Sequence, residues 1–274
     1  ADGRADGGNG RAFQGDRLMR RIRLIIEYDG TQYVGWQTQP NGIAVQALIE
    51  RAIFETTGES VSLHGSGRTD SGVHALAQVA HFDTAARMNA DKFAIALNTH
   101  LPHDIRILYS DETDGSFHSR FSAKQKQYRY TVQLGPHARV FTRNTALHLH
   151  GTPDVTAMQS AAADVLGTHD FRAFMSAGVT MENTVRTVTL SEWTQEGALL
   201  HYDVAGNGFL YNMVRILTGT MLEIGAGKRG ADAIGLALES IKRSDAGATA
   251  PAHGLTLYRV CYEGFDTQEV LRSL

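Results

Sequence analysis

An α+β fold is the class this sequence predicts, and three observations lead to it. Short apolar–polar alternations mark strands along the whole chain, the stretches between them carry helical spacing, and residues 20–109 order these elements as β-α-β-β-α-β. That order is the split βαβ, or ferredoxin-like, arrangement: an antiparallel sheet with helices on one face. The second half follows a similar order with insertions and no residue-level repeat. Two such domains side by side, with helices behind, leave a central cleft.

Residues 1–18 are rich in Gly, Asp and Arg without periodicity and read as a flexible tail. From Arg20 to Tyr28, Ile22, Leu24 and Ile26 alternate with Arg21, Arg23 and Glu27, as expected of a strand with one buried face. Asp29-Gly30 ends it. After a loop carrying Tyr33, Trp36 and Gln37, residues Val45, Leu48, Ile49, Ala52 and Ile53 fall at helical spacing up to Gly58. Strands over 60–65 and 75–83 flank a glycine-rich loop. Phe93, Ile95, Ala96 and Leu97 mark a helix begun by Asn89, and a strand over 105–109 completes the unit. Residues 111–119 break the pattern, so the chain divides into an N-terminal α/β domain over 19–112 and a C-terminal one over 113–274. In the latter, strands are expected at 128–134, 146–150, 185–193, 199–204 and 255–262. Helices are expected from the N-cap Asp154 to Gly167, over 213–224 and over 231–241.

With 274 residues, 42% hydrophobic and 20% charged, the chain can bury a sizeable core. No apolar run is long enough to cross a membrane, and the polar start lacks a signal-peptide core, so a cytoplasmic protein is expected. The single cysteine, Cys261, sits in an alternating run and reads as a buried strand residue. A net charge of −3 argues mildly against a nucleic-acid partner, but cations gather at Arg20, Arg21 and Arg23, at Lys124, Lys126 and Arg129, at Arg139 and Arg143, and at Lys228 and Arg229. A local basic face is compatible with that distribution.

The chemistry concentrates in His64 to Ala75, where Gly65, Gly67 and Gly72 let the backbone turn tightly around Asp70. A free Asp has a pKa of about 3.9, and a cation such as Arg68 lowers it, so Asp70 is expected to be ionised and to serve as nucleophile or base. The bland reading is a turn-capping Asp. Further on, Phe117-His118-Ser119-Arg120-Phe121 and Lys124 to Tyr130 interleave cations with aromatics, a combination that suits phosphates and unpaired bases. The plain alternative is a strand with Tyr128 and Tyr130 inward. Gly206 to Arg215 leads from a strand into a helix with Phe209, Met213 and Ile216 at core spacing, and Arg215 interrupts the apolar stripe. His64, His74 and His81 invite a metal reading, but an i,i+4 pair such as Asp70 and His74 serves that purpose on a helix, so no metal is expected.

Gly67-Arg68-Thr69-Asp70-Ser71-Gly72-Val73-His74-Ala75 resembles the active-site signature of the TruA-type tRNA pseudouridine synthases. Four further stretches are similar to that family: Gly35-Trp36-Gln37, His169 to Phe174, Phe209-Leu210 with Met213-Val214-Arg215, and Ala250 to Leu255. The resemblance spans residues 20–262 and departs at Gln127, where a basic residue often precedes the Tyr. It implies that Asp70 is the catalytic residue, that Arg215 stands against its carboxylate, and that Tyr128 stacks on the target uracil. It implies a central RNA-binding cleft, a tRNA substrate modified in the anticodon arm at positions thirty-eight to forty, and a homodimer. Arg68 would fill the space that the extruded base leaves, with Arg120, Lys124 and Phe209 also on the substrate. Turning uridine into its C-glycoside isomer needs no redox change, so no cofactor is expected. Two other functions compete. Asp70-Ser71-Gly72 matches one half of an aspartic-peptidase site, which needs a second carboxylate. A non-catalytic RNA-binding module would use the same basic and aromatic stretches and leave Asp70 without a role.

Overall fold

A computed structural model describes residues 19–178 and 181–274, so the tail read at 1–18 lies outside the described residues. The N-terminal half runs β1 (Arg20–Tyr28), α1 (Val45–Thr57), β2 (His64–Gly65), β3 (His74–Thr84), α2 (Phe93–Asn98) and β4 (Ile105–Thr113). The C-terminal half runs β5 (Gln125–Leu134), β6 (Leu147–Leu149), α3 (Val155–Ala163), β7 (Gly167–Asp170), β8 (Val185–Glu196), β9 (Leu199–Gly206), α4 (Met213–Gly225), α5 (Ala233–Ser240), β10 (Leu255–Tyr262), β11 (Phe265–Asp266) and α6 (Thr267–Arg272).

The strands form one mostly antiparallel sheet in the order β4-β1-β3-β10-β5-β9-β8-β7. The join between halves is the parallel pairing of β3 with β10, Thr256 facing His74 and Leu257 facing Ala75. Leu257 in turn faces Tyr128 on β5, and Tyr128 faces Val204 on β9. This row fixes how far Tyr128 stands from the loop that feeds β3.

Burial follows the alternation. Ile22, Leu24 and Ile26 of β1 are fully buried, as are Ile49 and Ile53 of α1, and Phe82 of β3 meets Phe93 of α2 with ring centroids 5.6 Å apart. In the other half Trp193 stacks on Tyr202 at 5.1 Å and reaches the Met221 sulfur of α4. The opposite face of β1 is also covered. Arg23 pairs with Asp111 and lays its guanidinium 3.4 Å from the centre of the Phe265 ring.

Several expectations needed correction. The strand expected over 60–65 shrinks to two residues because Leu63 bonds to α1 side chains, its N–H to Glu50 and its carbonyl to Gln46. Asn89 caps no helix by its side chain; a 3₁₀ turn over Ala90–Lys92 leads into α2. The break expected from 111 begins later, since β4 runs to Thr113. Cys261 is half-buried rather than buried, with its sulfur 3.4 Å from Asp266, and burial pushes its thiol up to about 11. The first basic cluster is consumed in the fold: Arg20, Arg21 and Arg23 pair with Glu112, Asp83 and Asp111. Arg229 pairs with Glu223.

Candidate active site

The loop from Ser66 to Val73 is held from two sides. Beneath it, Ser66 donates its N–H to the Val79 carbonyl at 2.7 Å and its hydroxyl to Gln78, and Gln78 donates to the Gly67 carbonyl at 2.9 Å. Beside it, Gly35 bridges to Asp70 and Trp36 donates to the Thr69 carbonyl at 3.1 Å. The carbonyls of Gly35 and Trp36 also accept from Val45 and Gln46, which satisfies two of the free N–H groups at the start of α1. Gly35 must be glycine: its φ is +108° and a Cβ would stand 2.5 Å from the Thr69 oxygen. Asp70 is therefore carried on a frame anchored in both β3 and α1.

Arg215 arrives from the other half. It lies in the first turn of α4, after Asn212 in the left-handed conformation at φ 62°. Its Nε donates to the Ala250 carbonyl and its Nη1 to Asn212 Oδ1, both at 2.8 Å, which leaves Nη1 3.6 Å from Asp70 Oδ2. Both side chains stay reachable, Asp70 23% and Arg215 18% exposed. Burial pushes the Asp70 carboxyl above its ordinary range, and Arg215 opposes the rise. Asp70 is thus less acidic than expected, and the cation facing it is Arg215 rather than Arg68. No second carboxylate stands against Asp70 among the described residues, so the shared proton of an aspartic-peptidase pair has no counterpart.

The cleft in front of them measures about 960 Å³ and takes walls from both halves. Tyr128 is 8% exposed and meets Phe209 edge-on with ring centroids 5.2 Å apart. Its hydroxyl is pushed above the usual phenol range by burial, with Tyr28 and Asp70 adding to it, so it stays protonated at neutral pH. Arg68 and Arg120 are exposed along the same cleft, without an acidic partner among the described residues.

Lys124 does not belong to this group. It is exposed outside the cleft, where the chain turns into β5 through an N–H bond to the Cys261 carbonyl. Its place is taken by Lys126, which sequence reasoning grouped with the basic run but did not assign to the site. The signal for it was period two, since residues 126 and 128 share a strand face. Gln127 and Arg129 point to the other face and bond to Asp203. His74 also faces away: its Nδ1 accepts from Gly30 and its Nε2 donates to the His253 carbonyl. His64 and His81 stack at 5.1 Å near His118.

A family model described as tRNA pseudouridine synthase matches residues 24–122 and 161–263. Curated relatives are similar along most of the chain. A tRNA pseudouridine synthase A from Acetivibrio thermocellus is 50% identical over 244 residues, covering 89% of this chain and 100% of the relative. Relatives of the same name from Shouchella clausii and Halalkalibacterium halodurans are 47% and 48% identical, with 89% and 86% of this chain covered and 94% and 90% of theirs.

Proposed function

This chain belongs to the tRNA pseudouridine synthase family, and from that premise we propose that it isomerises uridine to pseudouridine in the anticodon arm of tRNA, with Asp70 meeting the target ribose. The observation that carries the reading is the meeting of Asp70, Arg215 and Tyr128 on one cleft walled by both halves.

The reaction breaks the N1–C1′ bond, turns the uracil, joins C5 to C1′, and moves the C5 proton off the ring while N1 gains one. Atoms and electrons balance within the nucleotide, so the protein's task is to hold and to polarise. A carboxylate can attack C1′ or take the ribose C2′ proton, and both routes need Asp70 ionised. Arg215 favours that form against the burial that opposes it. The base must leave its stack, at a cost of a few kcal/mol, and the Tyr128–Phe209 pair offers it an aromatic wall. Burial favours the protonated Tyr128 hydroxyl, and its ring meets Phe209 edge-on, which supports a role in holding the uracil. Arg68, exposed and unpaired by acids among the described residues, would occupy the gap in the RNA.

The strand orders β4-β1-β3-β2 and β10-β5-β9-β8 support two ferredoxin-like units, 19–112 and 113–274, joined edge to edge. No helix among the described residues is long and apolar enough to cross a membrane; a tRNA substrate suits the cytoplasm, and the homodimer rests on the resemblance to the family alone. Mapping pseudouridine in an unmodified tRNA transcript after incubation tests the site: conversion at positions thirty-eight to forty is expected, and conversion confined to another arm contradicts it. A monomer mass for the active species in light scattering contradicts the dimer.

A further inference from the structure

Lys126 places a partly buried ammonium at the cleft with no acid beside it among the described residues. One N–H donates to the Ser66 carbonyl, and among the described residues no Asp or Glu forms an ion pair with it. Buried charges in folded proteins are normally paired, because an unpaired one loses hydration without recompense. Burial and the nearby Arg120 guanidinium both disfavour the charged form and bring the Lys126 pKa down to about 8. Among the described residues no carboxylate supplies the counter-charge.

The lysine is not required to hold its loop. Ser66 and Gly67 are already tied to β3 through Val79 and Gln78. Above the ammonium stands Gly67, whose φ is not left-handed and where a Cβ would lie 3.2 Å from Lys126 Nζ. A side chain there would press on the ammonium, so the glycine leaves it more open to the cleft. An ammonium carries three donors, so two remain after Ser66.

We propose that Lys126 is the centre of a phosphate site: its ammonium, flanked by Arg68 and Arg120, binds a backbone phosphate next to the nucleotide whose base enters the cleft beside Tyr128. This rests on the RNA-modifying reading of the same cleft and specifies which group docks the sugar before Asp70 meets it. A phosphate supplies the absent counter-charge and takes the two free donors as charge-assisted bonds.

The test measures binding of an anticodon stem-loop RNA to full-length protein on an Asp70→Asn background, across a salt series, for Lys126, Lys126→Gln and Lys126→Arg. Each is compared on native RNA and on RNA with one neutral methylphosphonate at either phosphate flanking the target uridine. Lys126→Gln should weaken binding about tenfold, flatten the plot of log affinity against log salt by about 0.7, and be rescued by Lys126→Arg. One methylphosphonate should weaken binding to Lys126 protein and add nothing to Lys126→Gln. An unchanged salt slope, or a methylphosphonate penalty equal in both proteins, overturns the proposal; lost binding with lowered thermal stability and an unchanged slope assigns Lys126 to loop support and overturns it too. Uridine conversion by the unaltered enzyme is followed in parallel. Its absence defeats the proposed isomerase reading, whereas conversion with an unaltered slope defeats the phosphate site alone.

Discussion

Arg215 Nη1 lies 3.6 Å from Asp70 Oδ2 while the same guanidinium is held by the Ala250 carbonyl and by Asn212, so the cation is positioned by its own half of the fold and not by the carboxylate. Fixed in that way, it favours the ionised form of Asp70 without having to be drawn to it.

Removing this cation should raise the Asp70 pKa further, because burial then acts unopposed. For Arg215→Gln the acid limb of the single-turnover rate should move up by about one pH unit or more. A limb that stays in place while the rate falls would show that Arg215 acts on something other than the carboxylate.

Tyr128→Leu should separate chemistry from binding. One stacked base is a small part of a large electrostatic contact, so the tRNA Kd should rise by less than about tenfold. Misplacement of the base should cost turnover about a hundredfold. Equal losses in both would remove Tyr128 from the reacting base.

Gly35→Ala strains the frame under Asp70 at a backbone with φ +108° and a Cβ position 2.5 Å from the Thr69 oxygen. Left-handed strain and overpacking together should cost about 2–4 kcal/mol in urea unfolding. A change within experimental scatter would mean the loop can move aside freely.

His81 is buried against Ser119 and the His64 and His118 rings, and burial, then Arg21 and its histidine neighbours, bring its pKa down to about 4. Its folded pKa lies below the ordinary 6.5, so its contribution to stability is complete above 6.5 and declines as pH falls toward 4. Thermal unfolding of His81→Gln should therefore depend less on pH across that window than the parent. Parallel curves for the two would contradict the assignment.

Much of this was legible in the sequence where residue period and burial coincide. β1 and β10 match their expected spans because apolar residues recur along each at mostly period-two spacing, interrupted in each by a register shift. The short elements were not legible: β11 and α6 together span eight residues, from Phe265 to Arg272, too few for a period to register. The site shows the same division. Asp70 stands out because glycines crowd around it, whereas its burial and the approach of Arg215 from 145 residues away arise only in the fold and leave no mark in the local sequence. Lys124 and Lys126 look alike in the basic run, and only the start of β5 decides which of them enters the cleft.

The most direct test is release of tritium from tRNA labelled at uridine C5, comparing the unaltered enzyme with Asp70→Asn. The account predicts release from the former and none above the no-enzyme background from the latter, with the variant still folded and still binding tRNA. Release that persists in Asp70→Asn would contradict the assignment of the chemistry to that carboxylate.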